Sequence, residues 1–335
     1  MALSVADVLR MYRGRRVLLT GASGFLGRWV ARLLHEGGAE LWMIGRTPQF
    51  LDALGSVYGI SGNIITADLN EPGSFAGVLR RAKPQVTFHL AGYGVDPAEC
   101  DAALAERLNH TLVEEIATAI AALPPDDWSG ARLIHAGSAA EYGAVPGPVY
   151  ENTPTNPVNL YGRTKLAGTE ALCRIVAERK LAATTARLFT IYGPGEHAHR
   201  LLPSLIEAAQ TGRSLALTAG EQQRDFTYVA DAAEGLLRLG CLPGAAPAMV
   251  NLATGMLTRV RRFAETATEV LGLAPGQLNF GALPYRPDET PHGPVSTTLL
   301  EATTGWKPAT PVREGIEKTV AFEVRPKNER AGARS

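Results

Sequence analysis

Residues 16–27 read RVLLTGASGFLG, and this stretch decides the fold. A short apolar run ends at glycine, and further glycines follow at 24 and 27. The next stretch, GFLGRWVARLLHEGG (24–38), carries apolar residues at helical spacing until it meets glycine again. A strand, a glycine turn and a helix in that order let the backbone approach a pyrophosphate. The helix N-terminus then offers free N–H groups and a partial positive charge. The spacing is GxxGxxG rather than GxGxxG, and glycine turns also serve tight packing. Placement between a first strand and a first helix points to a dinucleotide, with Gly21, Ser23, Gly24, Phe25, Leu26 and Gly27 as its expected contacts.

Outward from this turn, ELWMI (40–44), NIITA (63–67), VTFHLA (86–91) and RLIHAGS (132–138) read as strands. Helical patterns around 49–58, 74–82 and 101–122 lie between them. Such alternation builds a parallel sheet covered on both faces. The expected fold class is therefore α/β, a Rossmann-type doubly wound parallel sheet with a smaller C-terminal substrate-binding lobe. After TPTNPV a helix is expected, capped by Thr155 or Asn156 with Pro157 in its first turn, running to about 180. The strand ATTARLF (183–189) follows. Beyond 190 the chain is rich in proline and glycine, with helices near 201–212, 231–240, 258–271 and 312–323. The expected division is a dinucleotide-binding domain over 1–189, with a returning segment near 221–252, and an interleaved lobe over 190–330. The polar end, 325–335, is expected to fray.

Composition narrows the partners. Lys plus Arg number 33 and Asp plus Glu 33, so no net field draws nucleic acid or an acidic membrane surface. No apolar run is long enough to span a bilayer, and MALSVADVLRMYRG lacks the apolar core of a signal peptide, so a cytoplasmic protein is expected. Cys100, Cys173 and Cys241 are odd in number and far apart, which suits small buried hydrophobes better than a disulfide framework or zinc. His197 and His199 lack further ligands nearby and read as exposed loop residues, so no metal is expected.

The chemistry concentrates at strand ends. The second strand closes in IGRTP, where an acid would bond the adenosine ribose and repel a 2′-phosphate. Gly45 and Arg46 stand there instead. A guanidinium pairs with phosphate in a forked geometry, which points to NADP, with a plain surface arginine as the other reading. Asp68 and Leu69 end the third strand, where Asp68 either holds the adenine edge or caps a helix. Tyr161 and Lys165 in LYGRTK are four apart and share a helix face. A phenol titrates near ~10, so ionising it at neutral pH costs about 4 kcal/mol, part of which a neighbouring ammonium can supply. The alternative is a surface pair on an amphipathic helix. It loses force because Ser138 in GSAAEYG falls at the same sheet edge.

Taken together, TGASGFLG, HLAG, GSAAEYG, YGRTK, RLFTIYGPG, QQRDFTYVAD and GWKPATPVREGI resemble an extended short-chain dehydrogenase/reductase of the nucleotide-sugar branch. LTAGEQQRDFTYVAD and AGYG resemble reductases that make CDP-linked dideoxyhexoses. The resemblance implies a Ser138–Tyr161–Lys165 triad. Tyr161 exchanges a proton with a sugar oxygen, Ser138 hydrogen-bonds that oxygen, and Lys165 lowers the phenol pKa and holds the nicotinamide ribose. It places Leu90, Ala91 and Gly92 at the cofactor, Tyr142 in the pocket, and Tyr93, Ala139, Ala140, Thr190, Arg224 and Arg286 at the substrate. Relatives that eliminate water carry an acid and a base after the hydroxyl; Ala139 and Ala140 can be neither, and Glu141 is expected to point away. Thr190 stands where many relatives have asparagine, which leaves the base open. The implied activity is NADPH-dependent reduction of a nucleotide-linked 4-keto-6-deoxyhexose by a homodimer. An NAD-dependent C4 epimerase, for instance of a UDP-uronic acid, is the alternative, and a non-catalytic nucleotide sensor fits the intact triad less well.

Overall fold

The computed structural model describes residues 3–47, 50–96, 98–244, 246–274 and 276–324. Its first half runs α1 (Val5–Met11), β1 (Arg16–Thr20), α2 (Phe25–Glu36), β2 (Glu40–Gly45), α3 (Phe50–Tyr58), β3 (Asn63–Thr66), α4 (Ser74–Ala82) and β4 (Val86–His89). Then come α5 (Ala102–Glu106), α6 (Leu112–Ala121), β5 (Leu133–Ser138), α7 (Leu160–Arg179) and β6 (Ala183–Leu188). The second half adds β7 (Thr190–Tyr192), α8 (Leu201–Thr211), β8 (Leu215–Leu217), β9 (Gln223–Tyr228), α9 (Val229–Gly240), β10 (Met249–Leu252) and β11 (Leu257–Arg259). It closes with α10 (Val260–Leu271), β12 (Leu278–Phe280), α11 (Thr298–Thr304) and α12 (Val312–Val324).

Among the described residues the main sheet has seven strands in the order β3-β2-β1-β4-β5-β6-β10, all parallel. Strand β1 shows how the two cores arise. Val17 and Leu19 face one way, into a core with Trp29, Val30 and Leu33 of α2 and Leu236 of α9. Leu18 faces the other, towards Phe75 of α4, Ile116 of α6 and Leu172 of α7. Period-two alternation with both faces apolar is what a parallel sheet buried on both sides requires. Strand order reverses between β1 and β4, so a crevice opens there at the C-terminal edge.

Several local expectations change. The helix after TPTNPV starts at Leu160, and its cap is Asn159, whose Oδ1 accepts from Gly162 N–H at 2.8 Å, not Thr155 or Asn156. Pro157 lies outside it. The helix expected over 101–122 is broken by a π-helical turn at Arg107–Thr111. Helices α1 and α11, and the short strands after 190, were not legible as separate elements. The segment 325–335 lies outside the described residues. Of the cysteines, Cys241 is buried but Cys100 is exposed.

At the sheet centre His89 and His135 are register partners on β4 and β5, with ring centroids 5.7 Å apart. Thr20 Oγ1 accepts from the N–H groups of Leu90 and Ala91, so its single proton goes to His89 Nδ1 at 2.7 Å. His89 therefore carries its own proton on Nε2. Burial pushes His89 down to about 3, and Lys165 adds to that. Burial also holds His135 well below its usual value, helped by Lys165 and His89. A histidine depressed on folding stabilises fully above its unfolded value near ~6.5 and loses that contribution as pH falls below it. The His89 ring is expected to remove about 2 kcal/mol between pH 6.5 and 5, and His135 adds a loss of the same sign. Urea titrations at pH 7 and pH 5 check this: His135→Val should flatten the pH slope, and an unchanged slope would contradict it.

Candidate active site

A groove begins at the glycine turn. A side chain at Gly27 would start 1.9 Å from the Gly21 carbonyl oxygen, so only glycine allows α2 to leave β1 this closely. The N-cap, Gly24, supplies no side-chain bond, and no acid stands in the first turn. The first N–H groups of α2 are thereby left for an anion. A 350 Å³ groove lies over this turn, lined by Gly21, Ser23, Gly24, Gly45, Arg46, Asp68, Leu69, Leu90, Ala91, Gly92 and Tyr93 among others. Arg46 is exposed, and among the described residues it has no hydrogen-bond or ion-pair partner. Asp68 bonds the Asn70 N–H at 3.0 Å and does not cap α4, whose N-cap is Gly73. Phe25 and Leu26 are partly buried, with their side chains packed against the core. These features fit a dinucleotide: a helix end open to a pyrophosphate and a free guanidinium at the end of β2.

Ser138 ends β5, and its hydroxyl accepts from Ala140 N–H at 3.2 Å. Tyr161 and Lys165 follow on the first turns of α7. The lowering expected for the phenol does not occur among the chain's own residues. Burial pushes Tyr161 up to about 12, against a hydrogen bond from Ser138, with Glu141 raising it further and Arg200 lowering it. Burial also brings Lys165 down to about 8, opposed by Glu141. The Lys165 ammonium nitrogen lies 3.6 Å from where a Gly92 side chain would start, so it reaches the groove wall. Glu141 does point away: Oε2 accepts from Arg187 at 2.7 Å, and Oε1 from Ser138 N–H at 2.7 Å and Thr169 at 3.1 Å. Tyr142, expected in the pocket, is core instead, 2% exposed with its hydroxyl donating to Asn251.

A second cavity of 570 Å³ is walled by Thr190, Glu196, His197, His199, Arg200, Arg224, Phe226, Arg286 and Glu289, among others. It gathers three of the residues expected at the substrate, Thr190, Arg224 and Arg286. Arg224 is ion-paired with Glu289. Tyr93, also expected there, lines the groove over the glycine turn, while Ala139 and Ala140 line neither space. His197 and His199 are exposed as expected, yet belong to this wall.

The model of the family described as "NAD dependent epimerase/dehydratase family" matches residues 17–253. The chain belongs to this family. The resemblance read from the motifs is thereby borne out, and the Rossmann-type α/β fold with it. Among curated relatives of this epimerase/dehydratase chain, the dTDP-6-deoxy-L-talose 4-dehydrogenase (NAD(P)(+)) of Kitasatospora kifunensis is 28% identical, over 90% of this chain and 94% of its own. The UDP-glucose 4-epimerase of Mycolicibacterium smegmatis (strain ATCC 700084 / mc(2)155) is 29% identical, over 92% and 98%. Among solved structures, MoeE5 in complex with UDP-glucose and NAD superposes with a TM-score of 0.77 at 26% identity, over 91% of this chain and 97% of that one. Oxidoreductases and epimerases thus both stand among its relatives. Among the described residues no helix is long and apolar enough to cross a membrane, and no group of side chains could hold a metal.

Sequence reasoning missed Asn109. It lies inside the π-helical turn, fully buried, and grips the Tyr93 backbone from both sides: Oδ1 accepts its N–H at 3.0 Å and Nδ2 donates to its carbonyl at 2.7 Å. Nδ2 also donates to Thr164 at 3.0 Å, which ties the groove loop to α7. Inserted π turns often accompany functional sites. No local residue pattern announces this one.

Proposed function

We propose that this protein uses NADPH to reduce the ketone of a nucleotide-linked 4-keto-6-deoxyhexose. The observation that carries the reading is Arg46: a guanidinium on the groove wall at the end of β2, without a partner among the described residues, where an acid would favour NAD. In this reading Arg46 takes the 2′-phosphate, and the open end of α2 takes the pyrophosphate with Gly21, Ser23, Gly24, Phe25, Leu26 and Gly27. Asp68 and Leu69 take the adenine end, Leu90, Ala91 and Gly92 flank the dinucleotide, and Lys165 holds the nicotinamide ribose. When bound, the cofactor supplies the hydride.

Tyr161 donates the proton to the sugar oxygen. A phenol held near 12 by burial stays protonated at neutral pH, which suits the donor of a reduction. Ser138 donates a hydrogen bond to the same oxygen as it gains charge. Arg224 holds the nucleotide pyrophosphate and Arg286 is a second contact to the nucleotide, with Thr190 beside it. Ala139 and Ala140 offer no acid–base pair, and the occupied carboxylate of Glu141 argues against elimination of water. The two-lobed division at 189/190, a homodimeric state and a cytoplasmic location belong to the same proposal. A C4 epimerase is the second reading, favoured by the UDP-glucose 4-epimerase among the relatives. The deciding test is kcat/KM with NADPH and with NADH on a panel of nucleotide-linked ketosugars, where the reductase reading expects NADPH to be preferred.

A further inference from the structure

Arg28 belongs to neither cavity wall, yet its guanidinium touches three segments. Nε donates to the Gly24 carbonyl at 3.1 Å, Nη1 to the Tyr58 hydroxyl at 3.1 Å and Nη2 to the Gly195 carbonyl at 3.0 Å. It also lies 5.3 Å from the Tyr58 ring centroid. The next residue, Trp29, donates Nε1 to the Pro194 carbonyl at 3.0 Å. Two consecutive carbonyls of the loop after β7 are thus held by the first turns of α2. Gly195 has φ +81°, and a side chain there would start 2.3 Å from the Tyr58 hydroxyl, so the loop packs against this seat without slack. Gly24 lines the cofactor groove, whereas Glu196, His197, His199 and Arg200 carry the same loop into the wall of the larger cavity.

We propose that Arg28 is a positioning residue that couples the two sites, so that dinucleotide in the groove tightens binding of a nucleoside diphosphate in the cavity. An anion on the open end of α2 pulls on the Gly24 turn, whose carbonyl already accepts from Arg28. Among the described residues that guanidinium's other hydrogen bonds go to Tyr58 and the Gly195 carbonyl, so a change at Gly24 is felt by the loop. Coupling of this kind is reciprocal and typically amounts to about 5- to 150-fold in affinity. The proposal rests on the nucleotide-sugar reading of the cavity.

The test is titration of the protein with uridine, thymidine and cytidine diphosphates, without dinucleotide and with saturating NADP⁺ or NAD⁺. For the native chain the tightest diphosphate should bind at least about 5-fold more tightly with dinucleotide present. In Arg28→Met that ratio should fall towards one. Arg28→Lys keeps the charge but not the three-way fork, and should lose most of the ratio as well. It serves if Arg28→Met does not fold. General loosening of the fold would weaken both titrations and leave their ratio alone. A native ratio of one, or a native ratio retained in the variants, overturns the coupling while leaving the nucleotide-sugar reading intact. No diphosphate binding to the native chain at all would overturn both.

Discussion

Tyr161→Phe is expected to abolish turnover while dinucleotide binding stays nearly unchanged. The substitution removes one hydroxyl from a half-buried ring on α7 and leaves the ring's packing in place. Positioned proton transfer contributes about 10²–10⁴ in rate, and neither Lys165 nor Glu141 is placed to replace it. Lys165 is directed to the groove wall at Gly92, and Glu141 is held by Arg187 and the Ser138 N–H. Ser138→Ala should cost roughly 10²–10³, because its bond strengthens only as the oxygen gains charge. Steady-state rates for both variants, with dinucleotide affinity measured alongside, check the assignment. A Tyr161→Phe protein that kept most of its activity would mean the proton comes from elsewhere.

Arg224→Ala is expected to weaken nucleotide-sugar binding about ten- to a hundred-fold while barely touching the dinucleotide. A charge-assisted hydrogen bond contributes on the order of 1.5–3 kcal/mol, which sets that range. Arg224 is only 18% exposed on the cavity wall, so solvent screens it weakly. Its loss also leaves Glu289 as an unpaired carboxylate facing the same space, which repels a pyrophosphate. Titration of both ligands against native and variant protein decides the matter. Equal losses for the two would indicate a damaged fold and would remove Arg224 from the nucleotide site.

What could be read from the chain follows from how local each signal is. The glycine turn, the strands up to β6 and most helices are announced by apolar runs, helical spacing and glycine stops within about a dozen residues. The gathering of Ser138, Tyr161 and Lys165 at one sheet edge was legible too, because parallel strands end on the same side. Pro157 suits a first helical turn by its local chemistry, but the Asn156 N–H donates to the Tyr142 carbonyl at 3.0 Å, a long-range bond that moves the cap to Asn159. The phenol's rise was hidden because burial is a tertiary quantity, and the lysine four residues away is itself desolvated. The three-residue strands β7, β8, β11 and β12 pair with distant partners and leave no periodicity to see. Arg28 reaches a carbonyl 167 residues away, and no window of sequence contains both.

The most direct test of a reductase built around Arg46 is cofactor use. Purified native protein is given a nucleotide-linked 4-keto-6-deoxyhexose with NADPH or with NADH, and kcat/KM is measured for each. The released cofactor is identified by mass spectrometry, and Gly45→Asp with Arg46→Ala serves as the comparison protein. The account predicts net consumption of NADPH, equimolar with the ketone lost, a preference for NADPH over NADH, and a shift towards NADH in the double variant without loss of the triad. If the native protein consumes NADH in preference to NADPH, Arg46 has no phosphate to hold; if it holds NAD that it never releases and interconverts C4 epimers with no net consumption, the reductase reading is wrong.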